Sequence, residues 1–189
     1  MTMKSADHLN LELWEDEALI RQQNQLKYQF WELLGKVGDQ IEQQDLLKIH
    51  ARSKGKKLSQ GSDLMGLPYQ VLDIVRDFDL ASGLNIRVLN WYGKGLYLLV
   101  LLGKEKFGSL DLKGLSFFQT YWESPWDYER LVETEPTSAK QPCEKEPDFL
   151  QWCKKIPVSH LVTENESEWV FQLKKLLERI SRHLGIQEN

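Results

Sequence analysis

The sequence is short of the residues that build the commonest catalytic and cofactor sites. It has two cysteines, Cys143 and Cys153, and four histidines, His8, His50, His160 and His183, in 189 residues. Two thiols are too few for a disulfide framework. With no C-x-x-C pair and no closely spaced histidines, nothing brings four ligands onto one zinc. G-x-G-x-x-G, G-x-x-x-x-G-K-[ST], G-x-S-x-G and H-E-x-x-H are all absent. Dinucleotide, P-loop, α/β-hydrolase and zincin chemistry therefore have no local support, and no cofactor or metal is indicated.

Long apolar runs are missing as well: the longest, 96–102, falls far below the roughly 20 residues of a membrane helix. The first seventeen residues carry Asp7, Glu12, Glu15, Asp16 and Glu17 without an apolar stretch. Neither a secretory nor a transit signal is expected, and the cytoplasm is the expected compartment. A basic excess is also lacking. Twenty-four Lys and Arg against twenty-eight Asp and Glu leave a net charge of -4, which argues against a surface that coats nucleic acid or an anionic membrane as a whole.

What is present is a globular composition, 41% hydrophobic, 28% charged and 11% aromatic. One domain over 1–189 is expected, large enough to hide roughly 70% of its unfolded surface. Between 14 and 48 there is no proline, and Leu19, Leu26, Phe30, Leu33, Val37 and Ile41 recur at helical steps, with Gln23 filling the stripe. Gly35 and Gly38 predict a bend or a joint. The stripe is close to a heptad repeat, but the Gln23 gap and the two glycines suit a sheet cover better than a coiled coil.

Residues 51–66 string together Ser53, Gly55, Ser59, Gly61, Ser62 and Gly66 without periodicity and read as a loop. Strands are predicted at 69–77, 84–92 and 96–102, and their short connections make an antiparallel meander. The third is apolar on both faces and should lie centrally, with cover above and below. Asn85, Arg87 and Asn90 make the second half-polar. A fourth strand is expected at 115–122 and a short helix at 123–132, followed by an acidic, proline-rich loop at 133–148. Phe149, Trp152, Cys153 and Ile156 are spaced for a short amphipathic helix. Thr163 and Glu166 are spaced for a capping box opening a last helix lined by Trp169, Leu173, Leu176, Leu177, Ile180 and Leu184. The expected fold is α+β: an antiparallel meander sheet of about four strands, covered on one face by the N-terminal helices and the C-terminal helix.

Nucleophilic chemistry finds little footing. Cys143 lies in the acidic loop, which disfavours a thiolate, and Cys153 sits among apolar neighbours, away from any activation by His160. Asp73, Asp77 and Asp79 would share a strand face and could hold magnesium or a proton, although aspartates at a strand end are ordinarily solvated. Two features point to binding. Lys48, Arg52, Lys54, Lys56 and Lys57 give +5 with no acid from 46 to 62, a pattern that grips phosphates when it is not merely complementing a helix end. Trp91, Phe117, Phe118, Trp122, Trp126 and their neighbours concentrate aromatic surface near Arg76 and Arg87, enough to build a stacking platform for a planar ligand.

Two readings follow. The first is a binding or interaction protein without catalysis, holding a small ligand or partner protein against a sheet face near Arg76, Arg87, Asn90 and Trp91. The second, ranked behind it, is a phosphate- or nucleic-acid-binding protein or enzyme using Lys48, Arg52, Lys56 and Lys57. A membrane partner is not expected.

Overall fold

The structure, a computed structural model, describes residues 9–120, 124–133 and 149–186. The acidic loop with Cys143, and the 121–123 stretch with Trp122, lie outside them. The N-terminal stripe forms α1 (Leu11–Glu15), α2 (Glu17–Asp39) and α3 (Gln43–Ile49). Asp16 opens α2 by accepting the Leu19 amide at 2.9 Å. The helix runs through both glycines and breaks just beyond them. At Gly38 an added Cβ would stand 3.2 Å from Leu72 Cδ1, so glycine here lets the helix settle onto the sheet; Gly35 faces open space.

Next come β1 (Lys57–Leu64), β2 (Leu67–Arg76), β3 (Leu84–Trp91) and β4 (Gly95–Gly103), followed by the single turn α4 (Lys104–Phe107). The chain continues through β5 (Phe118–Thr120), α5 (Arg130–Glu133), β6 (Phe149–Ile156) and α6 (Val162–His183). All pairings are antiparallel in one six-stranded sheet of order β1-β2-β3-β4-β6-β5. The α+β class and the meander are as expected. The two additional strands come from segments read otherwise.

Residues 57–64 form an edge strand, not part of a loop. One side of this strand pairs with β2 and the other lies at the sheet edge, so its pattern of exposure is polar and irregular rather than alternating. Residues 149–156 form a strand, not a helix. Because both faces of β6 are covered, Trp152 and Ile156 reach the helical side while Cys153 reaches the opposite one, and eight residues of this kind fit either period. The expected helix at 123–132 is reduced, within the described residues, to turns and the four-residue α5.

The capping box at Thr163 does not form either. Helix α6 starts one residue earlier with no side-chain cap on Leu161. Its entry is sealed instead by Asn165, which accepts the Ser159 amide and donates to the Ser159 carbonyl, both at 2.8 Å. Glu166 is drawn away to accept from Gln40 at the end of α2.

Leu33, Leu34 and Val37 of α2, with Trp169, Leu173, Leu176 and Ile180 of α6, bury the face of the sheet formed by Leu72, Ile86, Val88, Leu98 and Val100. The other face carries Val71, Leu89, Trp91, Tyr97, Leu99 and Cys153 beneath Leu131, with Phe118 and Tyr128 packed against them. Strand β4 is thus covered on both sides, as its uninterrupted apolar run requires. Among the described residues, no helix is long and apolar enough to cross a membrane.

Candidate functional site

The residues singled out in the sequence go to several different places. Trp91 is fully buried and donates its indole N–H to the Leu64 carbonyl at 3.1 Å, so it is core packing and not an exposed stacking surface. Arg76 ties down the incoming chain through the carbonyls of Gly55 and Lys54, both at 2.8 Å. Arg87 forks onto Asp73, with Nε 2.8 Å from one carboxylate oxygen and NH2 3.2 Å from the other. It also donates to the Tyr128 hydroxyl at 2.5 Å. Its guanidinium lies over the rings of Phe78 and Trp126, at 5.7 and 5.2 Å. Burial works against this cation, but Asp73 and Tyr128 outweigh it and hold its pKa above the ordinary arginine value.

Of the basic segment, Lys48 pairs with Asp45 at 2.8 Å and Arg52 with Asp77 at 3.0 Å. Lys56 donates to the carbonyls of Gly38 and Ile41, at 2.6 and 2.7 Å, closing the open end of α2. Lys57 is exposed at the start of β1. Three of these four cations are therefore committed to different partners. The aspartates are separated too. A register shift between Asp73 and Val75 leaves Asp73 with Arg87, while Asp77 and Asp79 lie beyond the strand near Arg52.

Asn90 leads elsewhere, to the helix-covered face. Gln60, Gln70 and Asn90 are direct cross-strand partners on β1, β2 and β3, so three carboxamides line up across the sheet from its edge inward. Gln60 is exposed, whereas Gln70 and Asn90 are 1% and 4% exposed. The Gln70 oxygen accepts from Asn90 at 3.3 Å and from the Tyr92 hydroxyl at 3.0 Å, and its nitrogen donates to the Lys27 carbonyl of α2 at 2.9 Å. Burial pushes the Tyr92 phenol up to about 12, so at neutral pH it remains a donor. Phe30 meets the Tyr92 ring edge-on at 5.8 Å and fixes it.

A cavity of about 490 Å³ opens beside this row, between the middle of α2 and the β1–β2 edge, within the size range of small-molecule sites. Asn24, Lys27, Tyr28 and Trp31 line it from the helix, and Gln60, Gln70 and Tyr92 from the sheet side. Gly61 belongs to the same rim, and a Cβ there would stand 2.5 Å from the Tyr69 ring, so only glycine lets that ring lie across the edge strand. Among the described residues the lining carries one cation, Lys27, and no carboxylate, histidine or thiol. A wider groove of about 700 Å³ runs between α3 and α6, but its polar rim, with Lys48, Lys174, Glu42 and Asp45, is exposed and of mixed sign.

None of the residues lining the cavity was among the expected binding residues, although Asn90, directly behind Gln70, was, and Tyr92 belonged to the aromatic cluster marked in the sequence. The signal for Gln70 was there: a glutamine followed by Val71 and Leu72 in an apolar strand needs partners once buried. Tyr28 and Trp31 lie beside the apolar stripe of α2 and carry no such mark. Among the described residues no group of three or more His, Cys, Asp or Glu is placed to hold a metal ion. No protein-family model matches the chain, and no curated protein and no solved structure matches it either.

Proposed function

We propose that this chain is a ligand-binding protein whose cavity over the carboxamide row takes a small, uncharged, planar heterocycle with paired hydrogen-bond donors and acceptors, of the nucleobase kind. The observation that carries this reading is the Gln60, Gln70 and Asn90 row, running from solvent into the core beside aromatic walls. The exposed Gln60 carboxamide offers a donor and an acceptor side by side, the pairing that the edge of a base presents, while Gln70, whose oxygen already accepts from Asn90 and Tyr92, has one N–H left to add. Rings such as Tyr28 and Trp31 supply stacking surface. Among the described residues the lining holds no carboxylate, histidine or thiol to serve as a general base, which favours holding a ligand over transforming it.

The test is a thermal-shift panel of free bases and nucleosides, with neutral monosaccharides as the competing class. A ligand at a hundred times its dissociation constant stabilises the fold by about 2.7 kcal/mol, a readily measured rise in Tm. Tyr28 and Gln60 are exposed, so Tyr28→Ala and Gln60→Ala should keep the unliganded Tm and lose the rise. A panel without any shift, a shift with sugars alone, or one that survives both substitutions overturns the proposal.

A further inference from the structure

Away from the cavity, titratable groups concentrate where α3 and β2 end and α4 begins. The His50 side chain is buried at 2% exposure, with Nε2 2.7 Å from Asp77 Oδ2 and Nδ1 3.4 Å from Lys106 Nζ. Burial pushes the Asp77 carboxyl up, but the His50 hydrogen bond, the Asp79 amide and Arg52 outweigh it and hold its pKa below the ordinary value. Asp77 is therefore a carboxylate at neutral pH, and the imidazole proton belongs on Nε2, donated to it. The Nδ1 lone pair is left facing Lys106.

Lys106 is exposed, so a reagent can reach its amine. Burial first, and then the neighbouring Arg52, lower its pKa, with Asp77 opposing. Arg52 makes its contacts to Asp77, Ser82 and Asp79 through one terminal nitrogen, at 3.0, 2.7 and 3.9 Å, and is 57% exposed. A lysine partly desolvated beside a second cation, with an imidazole nitrogen at hydrogen-bond reach, has what an amine nucleophile requires.

We propose that Lys106, His50 and Asp77 form a carbonyl-reactive lysine site, with Arg52 at its rim to hold an anionic group, so that the chain forms an imine with aldehydes that carry a phosphate or carboxylate. The Lys106 ammonium passes a proton to His50 Nδ1, and the free amine adds to the carbonyl carbon. A second proton moves from nitrogen to the new alkoxide. His50 returns its proton to that hydroxyl, which leaves as water. The product is the protonated imine, and no oxidant or further reactant is consumed. Asp77 is a positioning residue, acting through the tautomer of His50.

The test uses the full chain with pyridoxal phosphate as the probe aldehyde, borohydride to fix any imine, and peptide mass mapping to locate it. Lys106 should be modified about a hundredfold faster than the exposed Lys57, the lower end of what a positioned base supplies. His50→Gln should bring Lys106 down to the Lys57 rate. Arg52→Ala should erase the preference for pyridoxal phosphate over pyridoxal, which lacks the phosphate. Modification of Lys106 in the unaltered chain at or below the Lys57 rate overturns the proposal, whatever the variants do. So does a Lys106 preference that His50→Gln leaves intact in a folded protein. Loss of ligand binding at the carboxamide cavity bears on neither result, since the two sites share no residue.

Discussion

Arg87→Ala is the perturbation that most sharply separates a structural residue from a ligand-binding one. The side chains of Arg87 and Asp73 are 13% and 6% exposed, so the substitution strands a carboxylate in the sheet with Asn85 as its remaining side-chain donor, at 3.2 Å. Removing one partner of a buried pair costs about 3–5 kcal/mol. Lost stacking on Phe78 and Trp126 adds about 0.5–1 kcal/mol each. The sum approaches the whole stability of a modest domain. Urea unfolding at pH 7, followed by tryptophan fluorescence, should therefore show a loss of about 4–7 kcal/mol, or no folded baseline at all. Replacing both partners, Arg87→Met with Asp73→Leu, should recover most of that loss, because Asn85 keeps the Val75 carbonyl at 2.8 Å and no charge is left unpaired. Hydrogen exchange in 124–131 should quicken in both variants as Tyr128 and Trp126 lose their anchor. A loss below about 1 kcal/mol, or a double variant no better than Arg87→Ala, refutes the buried-pair argument.

Three further outcomes are expected. Gly35→Ala should raise stability by about 1 kcal/mol in the same urea experiment, since a Cβ meets nothing within 4 Å and glycine is costly inside a helix. Asp77 has its folded pKa depressed below 3.8, so its contribution is fully present above that pH and is lost as pH falls through the folded value; acid titration of stability should be shallower in His50→Leu, which has no donor to replace the depressing hydrogen bond. Burial pushes the Cys153 thiol well above its ordinary value, so mass mapping after iodoacetamide treatment should find it unmodified in the native protein and modified in denaturant.

The middle of the fold was legible in the sequence because β2, β3 and β4 obey simple patterns. Turn residues separate them, and the run from Leu96 to Leu102 admits only a central place. Strand β1 was hidden because an edge strand has one paired side and need not alternate. Strand β6 was hidden because eight residues buried on both faces satisfy a helical period as well as a strand period. At the level of sites, the polar residues of β3 were correctly marked as needing partners, but strand alternation sends them to opposite faces. Asn85 and Arg87 close a structural cluster around Asp73, while Asn90 backs the cavity. The charge run at 48–57 was visible, but not that Lys56 would turn inward to the carbonyls at the end of α2. Which cation meets which acceptor depends on tertiary approach, and neighbours in sequence carry no trace of it.

The most direct measurement is a titration of the isotope-labelled chain with the best base or nucleoside of the panel, followed through side-chain amide and indole resonances in proton–nitrogen correlation spectra. The carboxamide signals of Gln60 and Gln70 and the Trp31 indole should shift together along one binding curve, with the Trp91 indole, on the opposite face of the sheet, unmoved. Saturating ligand that leaves the Gln60 and Gln70 carboxamides in place, or that moves instead the residues of the α3–α6 groove, contradicts the account.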